Sequence, residues 1–324
     1  MRMRWTLSAV LLGMFAGIQP AIADYPDQPV KVVVPFAAGG FIDTVARVAT
    51  ERLARSLDRP LIIENRAGAG GKIAEEFVAN SKPDGYTLLI GLVIRPTLMQ
   101  ALPAPEPDID ILKAFVPIGP IGSAPMLLNA APALGVKDFA SFAAKVRSEP
   151  GRYTYASAGI GTPGHIAAAQ LARQFDLKAI HAPYRGGAPA LQDLASGVVS
   201  WIVDTPTGSM PLIQADKIVP LALINPTRLK QLPNVPTFGE LGHSAFRDEV
   251  MSVYVMAPAA APKPVIDRLG AAVLELQADP SVKSRLEAIS IEAAPQTDLQ
   301  ATRKMVQEQI EAWRKAVNQV KDTQ

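Results

Sequence analysis

Cysteine is absent from the 324 residues. Disulfides, thiolate nucleophiles and Cys-ligated zinc or iron–sulfur centres are therefore excluded. Histidine occurs three times, too few for a His-rich metal site, and nothing in the chain calls for a cofactor. An excess of one charge is missing too. Thirty-two Lys and Arg face thirty Asp and Glu, a formal net charge of +2, without the basic stripe expected of a nucleic-acid-binding protein. Beyond the first two dozen residues no segment approaches ~18 uninterrupted apolar residues, the length of a membrane span. What remains is a globular composition, 48% hydrophobic and 19% charged, rich enough in apolar residues to bury a core. At about 100–200 residues per domain, the length accommodates two domains.

The first residues read as a targeting segment. Arg2 and Arg4 precede an uncharged apolar run from Leu7 to Ile18, and Ala21-Ile22-Ala23 fits a small-x-small cleavage site. Residues 1–23 are expected to be a cleaved secretory signal peptide. No Cys follows for lipid attachment. Cleavage removes Arg2 and Arg4 and takes the formal charge from +2 to zero. A neutral, exported, disulfide-free protein suits a bacterial periplasm.

Strand and helix patterns then alternate. Val30 to Val34 is a β-branched run, and Ile42, Val45, Ala46, Ala49, Leu53 and Leu57 recur at helical spacing. Leu61 to Ile63 is a second strand, Ile73 to Val78 a second helix and Tyr86 to Ile90 a third strand. Strands are expected again at Met126 to Leu128, Tyr153 to Ala156, Ala179 to Pro183, Val198 to Val203, Val219 to Ile224 and Ser252 to Met256. Asp138 can cap a helix, and Thr297 with Gln300 fits a capping box for a final helix from Leu299 to Val320. Near-continuous apolar strands imply α/β lobes with mostly parallel sheets flanked by helices.

Three glycine-containing turns lie between strands and helices: Pro35 to Gly40 ahead of Asp43, Ser157 to His165, and Tyr184 to Pro189. Glycine lets a ligand approach backbone N–H groups, and a helix amino end offers unpaired N–H groups with positive partial charge. Such turns make anion sites at the carboxyl ends of strands. The same glycines also serve simply to shape tight turns. Gly159, Gly161 and Gly164 match G-x-G-x-x-G, but no Asp or Glu ends the following strand, where His181-Ala182-Pro183-Tyr184-Arg185 stands, against a dinucleotide site. Ser157 lacks a G-x-S-x-G elbow, and with His165 it makes no triad. His165 reads as a cap or ligand donor, and His181 as a satisfied polar group beside a strand. Asp43 is a helix cap or a ligand contact, and Asp204, at a strand end, is structural or ligand-facing. Arg95, beyond the third strand, either grips a carboxylate, with Leu92, Val93 and Ile94 as an apolar wall, or pairs with an acid such as Glu106 or Asp108.

Val33-Val34-Pro35-Phe36, Gly39-Gly40, Asp43, Ala46-Arg47, Glu64-Asn65-Arg66, Gly68-Ala69-Gly70-Gly71 and Pro83-Asp84-Gly85-Tyr86-Thr87-Leu88-Leu89 resemble the Bug family, the extracytoplasmic solute receptors of tripartite tricarboxylate transporters. Tyr153 to Ser157, His165, Pro183-Tyr184-Arg185-Gly186, Pro189-Ala190, Asp193-Leu194, Pro233, Val235-Pro236-Thr237 and Ala257-Pro258 extend the likeness over nearly the whole chain after residue 23. The resemblance implies a two-lobed periplasmic binding fold of the Venus-flytrap type II class. Lobe 1 would comprise residues 24–122 and 248–324, and lobe 2 residues 123–247. It implies a monomeric receptor that captures a small organic carboxylate, without catalysis or cofactor, and delivers it to a membrane permease of one large and one small subunit. A sensory receptor of the same fold, signalling to a membrane kinase, is the alternative. The implied ligand contacts are Phe36, Ala38, Gly39, Gly40 and Asp43, then Ser157, Gly159, Gly161, Thr162 and His165, and Tyr184. Arg95 and Asp204 join them on the reading of the residues. The sequence departs from the family at Gly91-Leu92-Val93-Ile94-Arg95-Pro96 and at Thr162-Pro163-Gly164, and in the proline-rich, acidic stretch from Pro103 to Asp110.

Overall fold

The computed structural model describes residues 25–99, 109–243 and 251–321. The segment read as a signal peptide, and Glu106 and Asp108, lie outside them.

The first lobe opens with β1 (Val30–Val34), α1 (Phe41–Leu57), β2 (Leu61–Asn65), α2 (Lys72–Ala79), β3 (Thr87–Gly91), α3 (Arg95–Met99) and α4 (Ile111–Ala114). Strand β4 (Phe115–Ala124) leads to β5 (Met126–Ala130) across Pro125. The second sheet is then completed through α5 (Phe139–Ser148), β6 (Thr154–Ser157), α6 (Pro163–Gln174), β7 (Ile180–Pro183), α7 (Gly187–Ala195), β8 (Trp201–Asp204), α8 (Pro206–Gln214) and β9 (Val219–Ile224). The chain returns with β10 (Met251–Pro258), followed by α9 (Lys263–Ala278), α10 (Pro280–Ala288), β11 (Glu292–Ala293) and α11 (Leu299–Lys321).

Six strands form one sheet in the order β11-β4-β10-β3-β1-β2, and five form the other in the order β7-β6-β8-β5-β9. Strand β1 pairs parallel with β2 and β3, and β6 pairs parallel with β7 and β8. The other pairings are antiparallel. Both sheets are therefore mixed. Their parallel parts come from right-handed βαβ units, and their antiparallel parts from the strands on either side of the crossings between lobes.

Local chemistry accounts for the elements. Val30, Val32, Val33 and Val34 are fully buried, as expected of a strand covered by helices on both faces. Helix α5 starts at Asp138, whose carboxylate accepts from the Ser141 N–H at 2.7 Å while the Ser141 hydroxyl returns to the Asp138 backbone. Asp138 is held below its usual carboxylate range by those Ser141 bonds. The last helix departs from the expected capping box. Asp298 accepts from the Ala301 N–H at 2.7 Å, whereas the Thr297 hydroxyl donates to the Pro295 carbonyl at 2.7 Å. A carboxylate one residue nearer the helix is the stronger acceptor for orphan N–H groups, so it takes the cap.

The lobes touch backbone to backbone at two places. The Ala37 N–H donates to the Arg185 carbonyl at 3.3 Å. Beside this bond a Cβ on Gly186 would stand 3.2 Å from the Ala37 nitrogen. At the second contact a Cβ on Gly70 would meet the Ile160 carbonyl oxygen at 2.3 Å. Gly70 also has φ +63°, in the region that favours glycine.

Candidate functional site

The three glycine-containing turns named from the sequence converge where the lobes meet. They border a small cavity of about 40 Å³. Lobe 1 contributes Phe36, Gly40, Phe41, Ile42 and Leu92, with Met251 from the start of β10. Lobe 2 contributes Ala158, Thr162, Pro163, Gly164, Gly187, Val203 and Asp204. Among the described residues the wall is mainly apolar, Asp204 is its one ionisable side chain, and no lysine or arginine reaches the lining.

Positive potential comes instead from helix ends. Gly40 and Gly186 are the N-caps of α1 and α7, and neither supplies a side-chain cap. The two ends face each other across the lobe boundary: a Cβ on Gly40 would lie 4.0 Å from the Ala188 nitrogen. Two uncapped amino ends from opposite lobes form a site for negative charge. Helix α6 brings a third end, capped by the Thr162 hydroxyl.

The other named residues shape these turns. Ala38 and Gly39 lie exposed on the turn before α1. Asp43 is buried and does not line the cavity. It accepts from the Gly39 N–H at 2.9 Å, from Arg47 at 2.9 and 3.0 Å and from Asn65 at 2.9 Å. Burial alone would raise its pKa, but these bonds outweigh it and hold the carboxyl below its usual value. Asp43 thus ties the turn after β1 to the end of β2. Tyr184 hydrogen-bonds Asp193 at 2.6 Å. Burial and that carboxylate push its phenol up to about 12.

Behind the middle turn Trp201, Tyr155, His181 and His165 form one stack, with successive centroids 4.9, 4.8 and 4.0 Å apart. Ser157 Oγ lies 2.7 Å from His181 Nε2. His165 Nδ1 accepts from the Gly161 N–H at 3.2 Å, and Thr162 Oγ1 donates to the Gly159 carbonyl at 2.7 Å. Ser157 is fully buried, sealed from any substrate carbonyl. The sequence pointed to Ser157, Gly159, Gly161 and His165 as one turn, but the ring stack beneath it depends on β6, β7 and β8 lying side by side.

Burial lowers both His165 and His181 to about 4. As pH falls below the ordinary histidine value of 6.5, the unfolded chain binds two protons that the folded chain refuses until near 4. Stability therefore declines through that window. Asp204 works the other way. Burial raises it from 3.8 to about 6, so the folded state binds its proton first and recovers part of the loss between pH 6 and 4. Two rings outweigh one acid. A net loss on the order of 2–3 kcal/mol is expected between pH 7 and pH 4.5, with the half-buried His181 discounted. Urea unfolding in carboxylate-free buffers measures it. Ring-proton NMR should place both histidine midpoints well below 6, and a midpoint near 6.5 for either ring would refute this account.

Arg95 is also buried, outside the cavity lining. Its Nε donates to Glu75 Oε2 at 2.5 Å, and its Nη2 bonds the same oxygen. The pair links the first helical turn after β3 to α2, next to Pro35 and Gly71. Met251 and Val203 in the lining escaped the sequence reading as site residues. They come from a strand start and a strand interior, and no local motif marks them.

A two-lobed α/β fold with a mainly apolar cavity and helix ends between the lobes defines the class as a solute-binding receptor. The sequence profile of the tripartite tricarboxylate transporter family receptor (TctC) matches residues 45–321, and the chain belongs to that family. Similar solved structures include the periplasmic binding protein BugD, with a TM-score of 0.85 and 30% identity over 91% of this chain and 98% of that one. Another is MatC from Rhodopseudomonas palustris with bound malate, with a TM-score of 0.84 and 31% identity over 90% and 100%. A third is R. palustris Rpa4515 with adipate, with a TM-score of 0.85 and 29% identity over 92% and 98%. The protein is a binding receptor and not an enzyme. Among the described residues no helix is long and apolar enough to cross a membrane.

Proposed function

We propose that the protein is a monomeric periplasmic receptor, exported by a cleaved signal peptide. It captures a small organic carboxylate and hands it to a tripartite tricarboxylate-type permease of one large and one small membrane subunit. One observation carries the ligand class: the uncapped amino ends of α1 and α7, one from each lobe, face each other across an otherwise mainly apolar cavity. An anion seated there is held by both lobes at once. It therefore binds the closed form better than the open form and shifts the population toward it. The carboxylates named for MatC and Rpa4515 support the reading. Phe36, Gly40, Thr162 and Asp204 line the ligand, Ala38 and Gly39 flank it, and Asp43, Ser157, Gly159, Gly161, His165 and Tyr184 hold the turns around it.

Thermal unfolding with mono- and dicarboxylates, neutral sugars and amines tests the class. At free ligand ~100-fold above its dissociation constant, a carboxylate should stabilise the protein by about 2.7 kcal/mol. A shift with sugars or amines alone would overturn the assignment. Deletion of the gene should abolish uptake of the same acid into cells, and normal uptake in the deletion strain would refute delivery.

A further inference from the structure

The acid in the cavity poses a chemical question. Asp204 ends β8, opposite Leu127 of β5, and lines a cavity built for an anion. It takes a backbone hydrogen bond from Thr205, and no lysine or arginine among the described residues pairs with it. A Cβ on Gly187 would stand 2.6 Å from Asp204 Oδ2 and one on Gly208 3.5 Å from the same oxygen. The carboxylate is thus cradled by two glycines, against the first residue of α7. That helix end is also one half of the anion site. A ligand carboxylate seated between α1 and α7 brings its neighbouring atoms against Asp204.

Two ionised carboxylates this close repel each other, and the mainly apolar wall weakens screening. A hydrogen-bond donor between them removes the conflict. Thr162, the one hydroxyl among the described lining residues, already donates to the Gly159 carbonyl, and the helix-end N–H groups are taken up by the seated carboxylate, so a donor on the ligand meets this need. Its place is the carbon next to the seated carboxylate.

We propose that Asp204 is a specificity residue that selects acids carrying a hydroxyl or ammonium group on the carbon beside the bound carboxylate. The inference rests on the carboxylate reading above. A hydrogen bond to a charged acceptor contributes more than a neutral one, and a plain acid of equal length gives the partly buried carboxylate no such donor. Burial lifts Asp204 toward 6 in the free protein, so at pH 7.5 it meets the incoming ligand mainly ionised, and a donor on the ligand keeps it so against the second carboxylate. Titratable groups on the adjoining elements are engaged elsewhere: Asp193 on α7 binds Tyr184, and His165 on α6 accepts from Gly161.

Calorimetry at pH 7.5 in carboxylate-free buffer would compare matched mono- and diacids of three to six carbons with hydrogen, hydroxyl or ammonium at the 2-position. The substituted acid of at least one length should bind tenfold or more tighter than its plain counterpart. Asp204→Asn should narrow that ratio to about threefold or less. Should the variant fold poorly, wild-type protein at pH 5.2 gives a second test, because protonating Asp204 should narrow the same ratio. Equal or tighter binding of the plain acids at pH 7.5 would overturn the role of Asp204 while leaving the carboxylate reading intact. Failure of every acid to bind would overturn both.

Discussion

Glu75→Ala and Arg95→Ala, made separately, should each lower the free energy of unfolding by about 3–5 kcal/mol, because either change takes from a buried charge the ion-pair partner it holds in the interior. The two side chains are 4% and 3% exposed, so water does little to screen what remains. Replacing both together by Leu and Met should cost much less than the sum of the single changes, since it removes the buried charges together with their attraction. Urea unfolding of the two single variants and the double variant measures the cycle. Losses below ~1 kcal/mol for both single changes would show that the pair is not confined as described. The same variants separate the two readings of Arg95. As a ligand grip, Arg95 would lose affinity on truncation and little stability. As the partner of Glu75 it loses stability first, and the affinity of the folded fraction changes only as the turn beside Pro35 and Gly71 shifts.

Gly70→Val should weaken ligand binding by about one to two orders of magnitude while leaving each lobe folded. Its Cβ would stand 2.3 Å from the Ile160 carbonyl oxygen across the lobe boundary. That is a backbone atom, which cannot swing aside as a flexible side chain would. The positive φ of 63° adds about 1–2 kcal/mol for an L-residue. The φ cost falls on open and closed states alike, but the clash penalises only the state in which the lobes meet, so the apparent affinity of a ligand that binds this state falls with its population. Titration calorimetry reads the affinity. Small-angle scattering reads whether saturating carboxylate still contracts the molecule, a check that Gly70 acts on closure rather than on the ligand. Wild-type affinity with full contraction would remove this contact from the closing mechanism.

Most of the fold was legible in the chain because its signals are local. Valines at 30, 32, 33 and 34 specify a buried strand wherever it sits, Asp138 caps its helix with its near neighbour Ser141, and a glycine turn between a strand and a helix implies an exposed helix amino end. Class and family follow from such local patterns, and so do the three glycine turns that border the cavity. The failures were cases where the partner is remote in sequence or where neighbours compete. Thr297 fitted a capping box, but Asp298 was the better acceptor. Arg95 was read either as a ligand grip or as the partner of a nearby acid such as Glu106 or Asp108, whereas Glu75, which it bonds, lies twenty residues earlier on a separate helix. His165 and His181 were read one at a time, yet they stack 4.0 Å apart once β6 and β7 pair. The chain by itself determined the elements, the two lobes and the three glycine turns. Tertiary structure decided which polar groups face the cavity and which are consumed inside the protein. Packing within the first lobe buries Arg95 against Glu75, and only the packing of one lobe on the other sets the α1 and α7 ends opposite each other and leaves Asp204 in the cavity lining.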